Sequence, residues 1–241
     1  MTDLPEFNED YDYHDELPYV PEDQLDFAVI TMGLKRLPFF RDDTYLGMQA
    51  MNVGVVDALI TSQEYVLLRK QFDEEPTAMD LAYLISALSQ MWIFALYEVL
   101  RMWRDRRFEF MKLAKAGGID SKLDAFNSAD ELSGTIEVRK QQLKQYRDEA
   151  AYRVEIESVW TKLESAYRIV ELFRMNLSKH AAPGKDSVMP RAPGYGRINR
   201  WCGAMDYELI DKEGDYSTMN RRDIADALRV TLKEVENLAQ A

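Results

Sequence analysis

The stretch "FRMNLSKHAAPGKDSVMPRAPGYGRINR", residues 173–200, contains side chains whose types and spacing could cleave a phosphodiester bond. Arg174 is followed six residues later by His180, one of 2 histidines in the chain. An imidazole titrates near neutrality and can take a proton from a hydroxyl, while a guanidinium can hold the attacked phosphate. Together these groups suit RNA cleavage, in which the ribose 2′-OH attacks the adjacent phosphate and no metal is required.

Arg174 falls on the apolar side of a predicted helix, about 40° from Val170 on a helical wheel. A guanidinium keeps its charge when buried, so it needs a carboxylate or an anionic ligand. Glu98, on another predicted helix, is the carboxylate that we expect to hold Arg174, although such a pair could equally be a structural ion pair. Asn176 precedes His180 by four residues, which places it on the same strip of surface, where it could orient either group.

The same segment is basic in a chain that is otherwise acidic. Between residues 168 and 200 seven Lys and Arg side chains stand against two acids, and such a patch is what phosphate contacts need. Two aromatic residues, Tyr195 and Trp201, could stack on unpaired bases or could instead anchor the loop against the rest of the protein. The residues expected to contact the RNA backbone are Lys179, Lys185, Arg191, Arg197 and Arg200.

The arrangement "RMNLSKH", Arg174 to His180, resembles the motif of the HEPN family, an Arg followed by a His at the end of a core helix. The resemblance covers about residues 43–180. It implies a helical bundle that dimerises and brings two Arg/His motifs to one cleft. For active members it also implies metal-independent endoribonuclease activity in toxin–antitoxin systems or antiphage defence, so an antitoxin or another regulatory protein is a possible partner. Other members are non-catalytic RNA-binding or scaffold modules.

The elements that must position these residues are predicted to be long helices. No proline occurs between Pro76 and Pro183, a span too long for a sheet protein to cross without turn residues. Four segments are predicted, at about 43–72, 77–116, 128–149 and 152–179, and Gly47 and Gly54 in the first suit a close helix crossing. The predicted fold class is all-α, an up-and-down helical bundle with a small C-terminal β-hairpin and a terminal helix.

Two apolar stripes at helical spacing are predicted to form the mutual core of this bundle. The stripe of the second segment comprises Leu81, Leu84, Leu88, Met91, Ala95, Val99 and Met102. The stripe of the fourth segment comprises Val159, Leu163, Ala166, Tyr167, Val170, Phe173 and Leu177.

Three regions follow from composition: an acidic arm at 1–26, the bundle at 27–180, and a basic loop, hairpin and helix at 181–241. The hairpin is predicted to turn at residues 213–215, and the last helix to be capped by Ser217, Thr218 or Asn220. The arm carries about ten acids and no Lys or Arg, as a solvated tail would. Alternatively, it folds over a basic surface and competes with an anionic ligand.

The whole-chain composition sets limits on the class of protein. A formal net charge of −12 over 241 residues argues against a surface coated in positive charge. The single cysteine, Cys202, permits no internal disulfide and suits a reducing compartment. Two histidines and one cysteine are too few for a zinc centre. A carboxylate-bound metal stays open but no motif supports it, so we expect neither metal nor cofactor.

A cytoplasmic location is predicted, because the acidic N-terminus does not resemble a signal peptide. Residues 81–100 approach membrane-spanning length, but polar residues interrupt them and a charged run follows, so a buried bundle helix is expected rather than a membrane span. Two functions remain open at this point. One is an RNA-cleaving HEPN-like homodimer, and the other is a non-catalytic bundle that binds RNA or a protein.

Overall fold

The computed structural model describes residues 19–72, 78–127, 134–185 and 187–240. Most of the predicted acidic arm lies outside these residues. The part that is described is held in place: the Tyr19 hydroxyl donates to Asp223 Oδ1 at 2.8 Å, and the Val20 carbonyl accepts from Arg222 Nη2 at 2.6 Å. A 3₁₀ turn at Glu22–Gln24 follows.

The all-α fold class is confirmed, since the described residues form seven α-helices and one small sheet. The helices are α1 (Ala28–Arg36), α2 (Thr44–Phe72), α3 (Met79–Lys115), α4 (Ile119–Asn127), α5 (Gly134–Asp148), α6 (Ala150–Lys179) and α7 (Arg221–Gln240). The predicted long helices correspond to α2, α3, α5 and α6. The short helices α1 and α4 were not predicted. Part of the third predicted segment, residues 128–133, lies outside the described residues.

The long helices pack antiparallel around aromatic side chains. On α3, Trp103 stacks on Trp160 of α6 with ring centroids 6.1 Å apart, and further up α3 Tyr97 stacks on Tyr167 at 5.9 Å. The indole nitrogen of Trp92 donates to the Val53 carbonyl of α2 at 2.8 Å. The stripe predicted for α6 is confirmed as core, because each of its seven members is at most 7% exposed.

The stripe predicted for α3 is core only in part: Val99 is 4% exposed and Leu81, Leu88 and Met102 pack against the core, but the other three members are exposed. Met91 is 65% exposed and Leu84 is 49% exposed, and Ala95 is also exposed. The buried face contains Ile85, Trp92 and other residues offset from the predicted stripe. The helix is apolar on two sides, so the 3.6-residue period could not tell which side meets the rest of the chain.

Helix α1 crosses α2 at very short range, as Gly54 suggested. A Cβ on Gly54 would lie 2.3 Å from Thr31 Oγ1 and 2.5 Å from the backbone nitrogen of Thr31. Any side chain at this position would therefore force the two helices apart. The close crossing that was predicted for Gly54 is confirmed.

The segment between α6 and α7 contains a three-stranded antiparallel sheet in the order β1-β2-β3. Its strands are β1 (Gly196–Ile198), β2 (Met205–Ile210) and β3 (Tyr216–Met219). The β2–β3 hairpin turns where it was predicted, whereas β1 was expected to be irregular loop. Between β1 and β2, Gly203 has a φ of +73°, and a Cβ there would lie 1.9 Å from the Glu64 carbonyl oxygen of α2.

Helix α7 starts with a reciprocal cap and packs on α1 and α6. The Asp223 N–H donates to Asn220 Oδ1 at 3.1 Å, and the Asn220 N–H donates to Asp223 Oδ2 at 2.8 Å. Asn220 is therefore the cap among the three residues predicted, and the arrangement is a capping box.

A buried cluster of charges fixes α7 on α2. Arg221 is 0% exposed and donates to Glu64 Oε1 at 2.9 Å, to Thr61 Oγ1 at 2.8 Å, and to Asp57. Arg229 also donates to Asp57. Burial raises the pKa of Glu64 and by itself would lower the pKa of Arg221, but the two carboxylates raise the Arg221 pKa above its ordinary value.

One described helix, α3, is long and apolar enough to cross a membrane by length and composition alone. The core helix of a soluble bundle passes the same test, so the observation is weak evidence for a membrane span. Only 33% of its most apolar 18-residue window is buried. The cytoplasmic location stays a prediction.

Replacing Arg221 by Met is expected to lower the free energy of unfolding by about 3–5 kcal/mol, because Glu64 is left buried without its main partner. The matched control is Arg36→Met, which removes an exposed ion pair to Glu236 and should cost less than about 1 kcal/mol. Urea unfolding followed by circular dichroism measures both variants. Equal losses would contradict the anchoring role of Arg221.

Candidate RNA-binding site

Arg174 lies in the last two turns of α6, partly buried, and its charge is not neutralised by a carboxylate. Its guanidinium carbon is 5.0 Å from the centroid of the Tyr97 ring on α3, and Nη1 is 3.3 Å from the Met175 sulfur. Within the residues that the structure describes, Arg174 forms no ion pair. Stacking on an aromatic ring offsets part of the desolvation of the guanidinium but leaves the positive charge available to an anion.

The predicted pair between Glu98 and Arg174 is not formed. Glu98 Oε2 accepts from Arg101 Nη2 at 2.6 Å and from Arg101 Nε at 3.0 Å. Residues three apart on one helix are neighbours, and Glu98 is exposed, so its nearest arginine is on its own helix. The role predicted for Glu98, holding Arg174 in place, is therefore wrong in this structure.

Asn176 has a structural task that occupies its whole amide. It is 1% exposed, and its Nδ2 donates to the Leu172 carbonyl at 2.9 Å and to the Ile210 carbonyl at 3.0 Å. Its Oδ1 accepts from the Ile210 N–H at 2.9 Å. The amide joins α6 to β2, so it has no hydrogen left to orient Arg174 or His180, and that predicted role is corrected.

His180 ends α6 as its C-terminal cap. Its backbone is left-handed, with φ 53° and ψ 38°, and its side chain is exposed. On an ideal helix the side chains of Arg174 and His180 start about 9 Å apart along the axis and about 120° apart around it. No contact between these two described residues is formed. Arg174 faces α3, whereas His180 lies at the tip of α6.

All six residues predicted to bind RNA are exposed. Two of the arginines stack on aromatic rings: Arg191 lies 4.2 Å from the Tyr216 ring centroid, and Arg200 lies 4.8 Å from that of Trp201. Lys185 donates to the Lys212 carbonyl at 3.3 Å. The six are Lys179, Lys185, Arg191, Tyr195, Arg197 and Arg200.

The arginines of residues 174–200 differ from the others in their partners. Over the described parts of the chain, Arg174, Arg191, Arg197 and Arg200 have no carboxylate partner. Arg153 donates to backbone carbonyls, and every remaining arginine has a carboxylate within 4.0 Å. The sequence analysis did not predict this difference in partners, although the scarcity of acids in the segment was a signal for it.

Cys202 does not add a nucleophile to the segment. It is 0% exposed, and burial raises the pKa of its thiol to about 12, so the thiol stays protonated at neutral pH. Within the described residues, no group of three or more His, Cys, Asp and Glu side chains could hold a metal ion.

Comparison of the chain with protein-family models, with curated proteins and with solved structures found no match in any of the three. The class of protein therefore has to be argued from the residues described above.

Replacing Asn176 by Leu should lower the free energy of unfolding by about 1–3 kcal/mol, because the buried Ile210 N–H and carbonyl lose their partner. Ser178→Leu, at an exposed position of the same helix, is the control and should stay within about 0.5 kcal/mol of the unmodified protein. Chemical denaturation measures the difference. An unchanged midpoint for Asn176→Leu would show that the amide is not a structural link.

Proposed function

We propose that this protein is a HEPN-like RNA-binding protein that cleaves RNA without a metal, with His180 as general base and Arg174 as phosphate clamp. By its resemblance to that family, it would act as a homodimer in toxin–antitoxin or antiphage defence, with an antitoxin or other regulatory protein as partner. The observation that carries the proposal is the set of arginines that have no carboxylate partner within the described part of the chain, whose net charge over the full sequence is −12.

The ligand chemistry follows from charge. A chain with 42 acids and 30 bases offers carboxylates to its arginines, and almost all arginines outside residues 174–200 have taken one. Among the residues that the structure describes, four guanidinium groups of one segment have no carboxylate partner, and such a set suits a ligand that brings several negative charges, as a nucleic-acid backbone does. The exposed ring of Tyr195, 68% accessible, suits an unpaired base, which favours a single strand over a duplex.

RNA cleavage, as distinct from RNA binding, is the second part of the proposal. His180 is exposed at the end of α6 and can reach a bound strand from solvent, while Arg174 offers its charge from the side of the same helix end. In the proposed step His180 takes the 2′-OH proton and the 2′-oxygen bonds to the phosphorus of the phosphate held by Arg174. The bond from phosphorus to the 5′-oxygen breaks, which leaves a 2′,3′-cyclic phosphate and a 5′-hydroxyl protonated by the imidazolium or by water. Both groups must therefore reach one phosphodiester. The strand would have to run across the tip of α6 to meet both, or the second group would come from a second copy.

A non-catalytic RNA-binding protein is the second candidate. It is favoured by one observation, that Arg174 and His180 lie in different surroundings without contact within a single chain. The unpaired arginines support both candidates equally, so activity decides between them.

For cleavage, His180→Ala should reduce the rate on single-stranded RNA in EDTA by about 10²- to 10⁴-fold while leaving RNA affinity unchanged, because a general base is lost and the backbone contacts remain. Arg168→Ala is the matched control, since that exposed arginine of α6 is already paired with Glu164 at 2.6 Å. A gel assay with end-labelled RNA measures the rate. The nuclease proposal fails if the purified protein has no activity, or if His180→Ala cleaves as fast as Arg168→Ala.

For binding, Arg197→Ala should weaken affinity for RNA of every sequence and reduce the slope of log K against log salt by about 0.7, the share of one phosphate contact on a single strand. Arg147→Ala, an exposed arginine paired with Asp120 and Asp148, should change neither quantity. Fluorescence anisotropy at several salt concentrations measures both. Identical slopes for the two variants would remove the segment from the RNA interface.

A further inference from the structure

The outward face of α2 is uncharged until the last turn, which contains Arg69 and Lys70. From Thr44 to Leu68 the helix contains only two charged residues, Asp57 and Glu64, and both are 0% exposed in the buried cluster with Arg221. The side chains left on the outside are apolar or neutral. The large exposed ones are Tyr45 at 67%, Met48 at 57%, Val55 at 59%, Val56 at 36% and Leu59 at 56%.

The exposed apolar residues of α3 continue this face. Val56 follows Val53 by three residues and Ala95 follows Trp92 by three, and the Val53–Trp92 hydrogen bond marks the α2–α3 contact. Three residues turn a helix by about 300°, which is about 60° short of a full turn. In two antiparallel helices, this offset from the contact places both residues on the same side of the helix pair. Leu84 and Met91 lie on this side of α3, and no charged residue occurs between Asp80 and Glu98.

The other side of the same helix pair is filled by the chain itself. Gly54 of α2 is in contact with Thr31 of α1, and Tyr97 of α3 is stacked on Tyr167 of α6. The apolar face of α2 and α3 therefore points away from the core. It consists of Tyr45, Met48, Val55, Val56, Leu59, Leu84, Ala87, Met91 and Ala95.

The spacing along α2 is that of a helix–helix seam. Outward residues recur at alternating intervals of three and four, which is the heptad pattern of a helix that packs against another helix. A polar Asn52 lies within the seam, and a single Asn at such a position fixes the register of paired helices. The series is Tyr45, Met48, Asn52, Val55, Leu59, Ser62 and Val66, of which the first five are exposed and the last two are half-buried.

The size and charge of the face identify the partner. Side chains of this kind exposed to this degree present on the order of 800 Å², which is what each partner gives to a standard protein–protein interface and more than a typical monomer exposes in one patch. Two copies of a chain with net charge −12 repel each other over most of their surface. On a face without charge, two copies can meet without like charges in contact.

We propose that the uncharged face of α2 and α3 is a homodimer interface, in which the α2 seam of one copy packs against the α2 seam of a second copy about a two-fold axis. Such a self-complementary contact is the commonest form of oligomer. The proposal stands on the face itself and does not depend on RNA cleavage: Arg174 and His180 belong to α6, which packs on the other side of the helix pair, so this contact does not by itself bring the two copies of the Arg/His motif together.

Sedimentation equilibrium of the full chain tests the proposal. The unmodified protein should have twice the chain mass of 28.0 kDa, and Val55→Glu with Leu59→Glu should have the mass of one chain, because four carboxylates would meet at the seam. Val230→Glu, at a position of α7 that is 60% exposed, is the control and should leave the dimer intact. A monomeric unmodified protein, or a double variant that remains dimeric while folded, overturns the proposal.

Chemical cross-linking covers the case in which the double variant does not fold. Val55→Cys treated with a short bismaleimide should give a covalent dimer on a denaturing gel, whereas Val230→Cys should not, and buried Cys202 keeps the background low. A membrane surface is the alternative occupant of this face, and flotation with phosphatidylcholine vesicles tests it. Protein that floats with vesicles and gives no cross-link at residue 55 would assign the face to a membrane surface and overturn the dimer.

Discussion

The contact between Arg221 and the two carboxylates of α2 is the constraint on which the C-terminal third depends. An arginine cannot lose its charge on burial, so the site is stable only when Asp57 and Glu64 approach it with good hydrogen-bond geometry. That requirement fixes the position at which α7 begins. The cap at Asn220 then fixes the connection from β3 to α7. The turn at Gly203, packed on the Glu64 carbonyl, is held against the same turn of α2. Arg221, the turn at Gly203 and Glu64 are far apart in sequence, so these contacts tie the C-terminal segment to α2.

The same constraint explains why the basic segment can remain unpaired. The segment between α6 and α7 is held in two places. The Asn176 amide of α6 bonds to Ile210 of β2, and Arg221 anchors the start of α7. The sheet between these anchors supports two of the arginines: Arg197 lies on β1, and Arg191 stacks on the Tyr216 ring of β3. Both side chains are exposed. Their availability to an anion is a property of the anchors as much as of the arginines.

The sequence was informative where one physical signal acted alone. The α6 stripe has apolar residues on one side only, so its period predicted the buried face, and the turn at residues 213–215 carries glycine where a positive φ is needed. Helix α3 has apolar residues on two sides, and its buried side is chosen by tertiary contacts that periodicity does not contain. Helix α1 is too short to give a clear period before Pro38. In the site, Arg174 was identified by its place on the wheel, whereas its partner was not, because Glu98 had an arginine within reach on its own helix.

The left-handed backbone of His180 makes this position relevant to stability as well as to the proposed chemistry. A left-handed residue with a Cβ is less stable than glycine by on the order of 1 kcal/mol, and glycine is the usual residue at such helix ends. Substitution by glycine would therefore be expected to strengthen the fold while removing the imidazole. At residue 180, selection for thermal stability would favour glycine, whereas selection for an imidazole would favour histidine. A thermostability screen of random variants would thus be a way to find the position without any knowledge of the ligand.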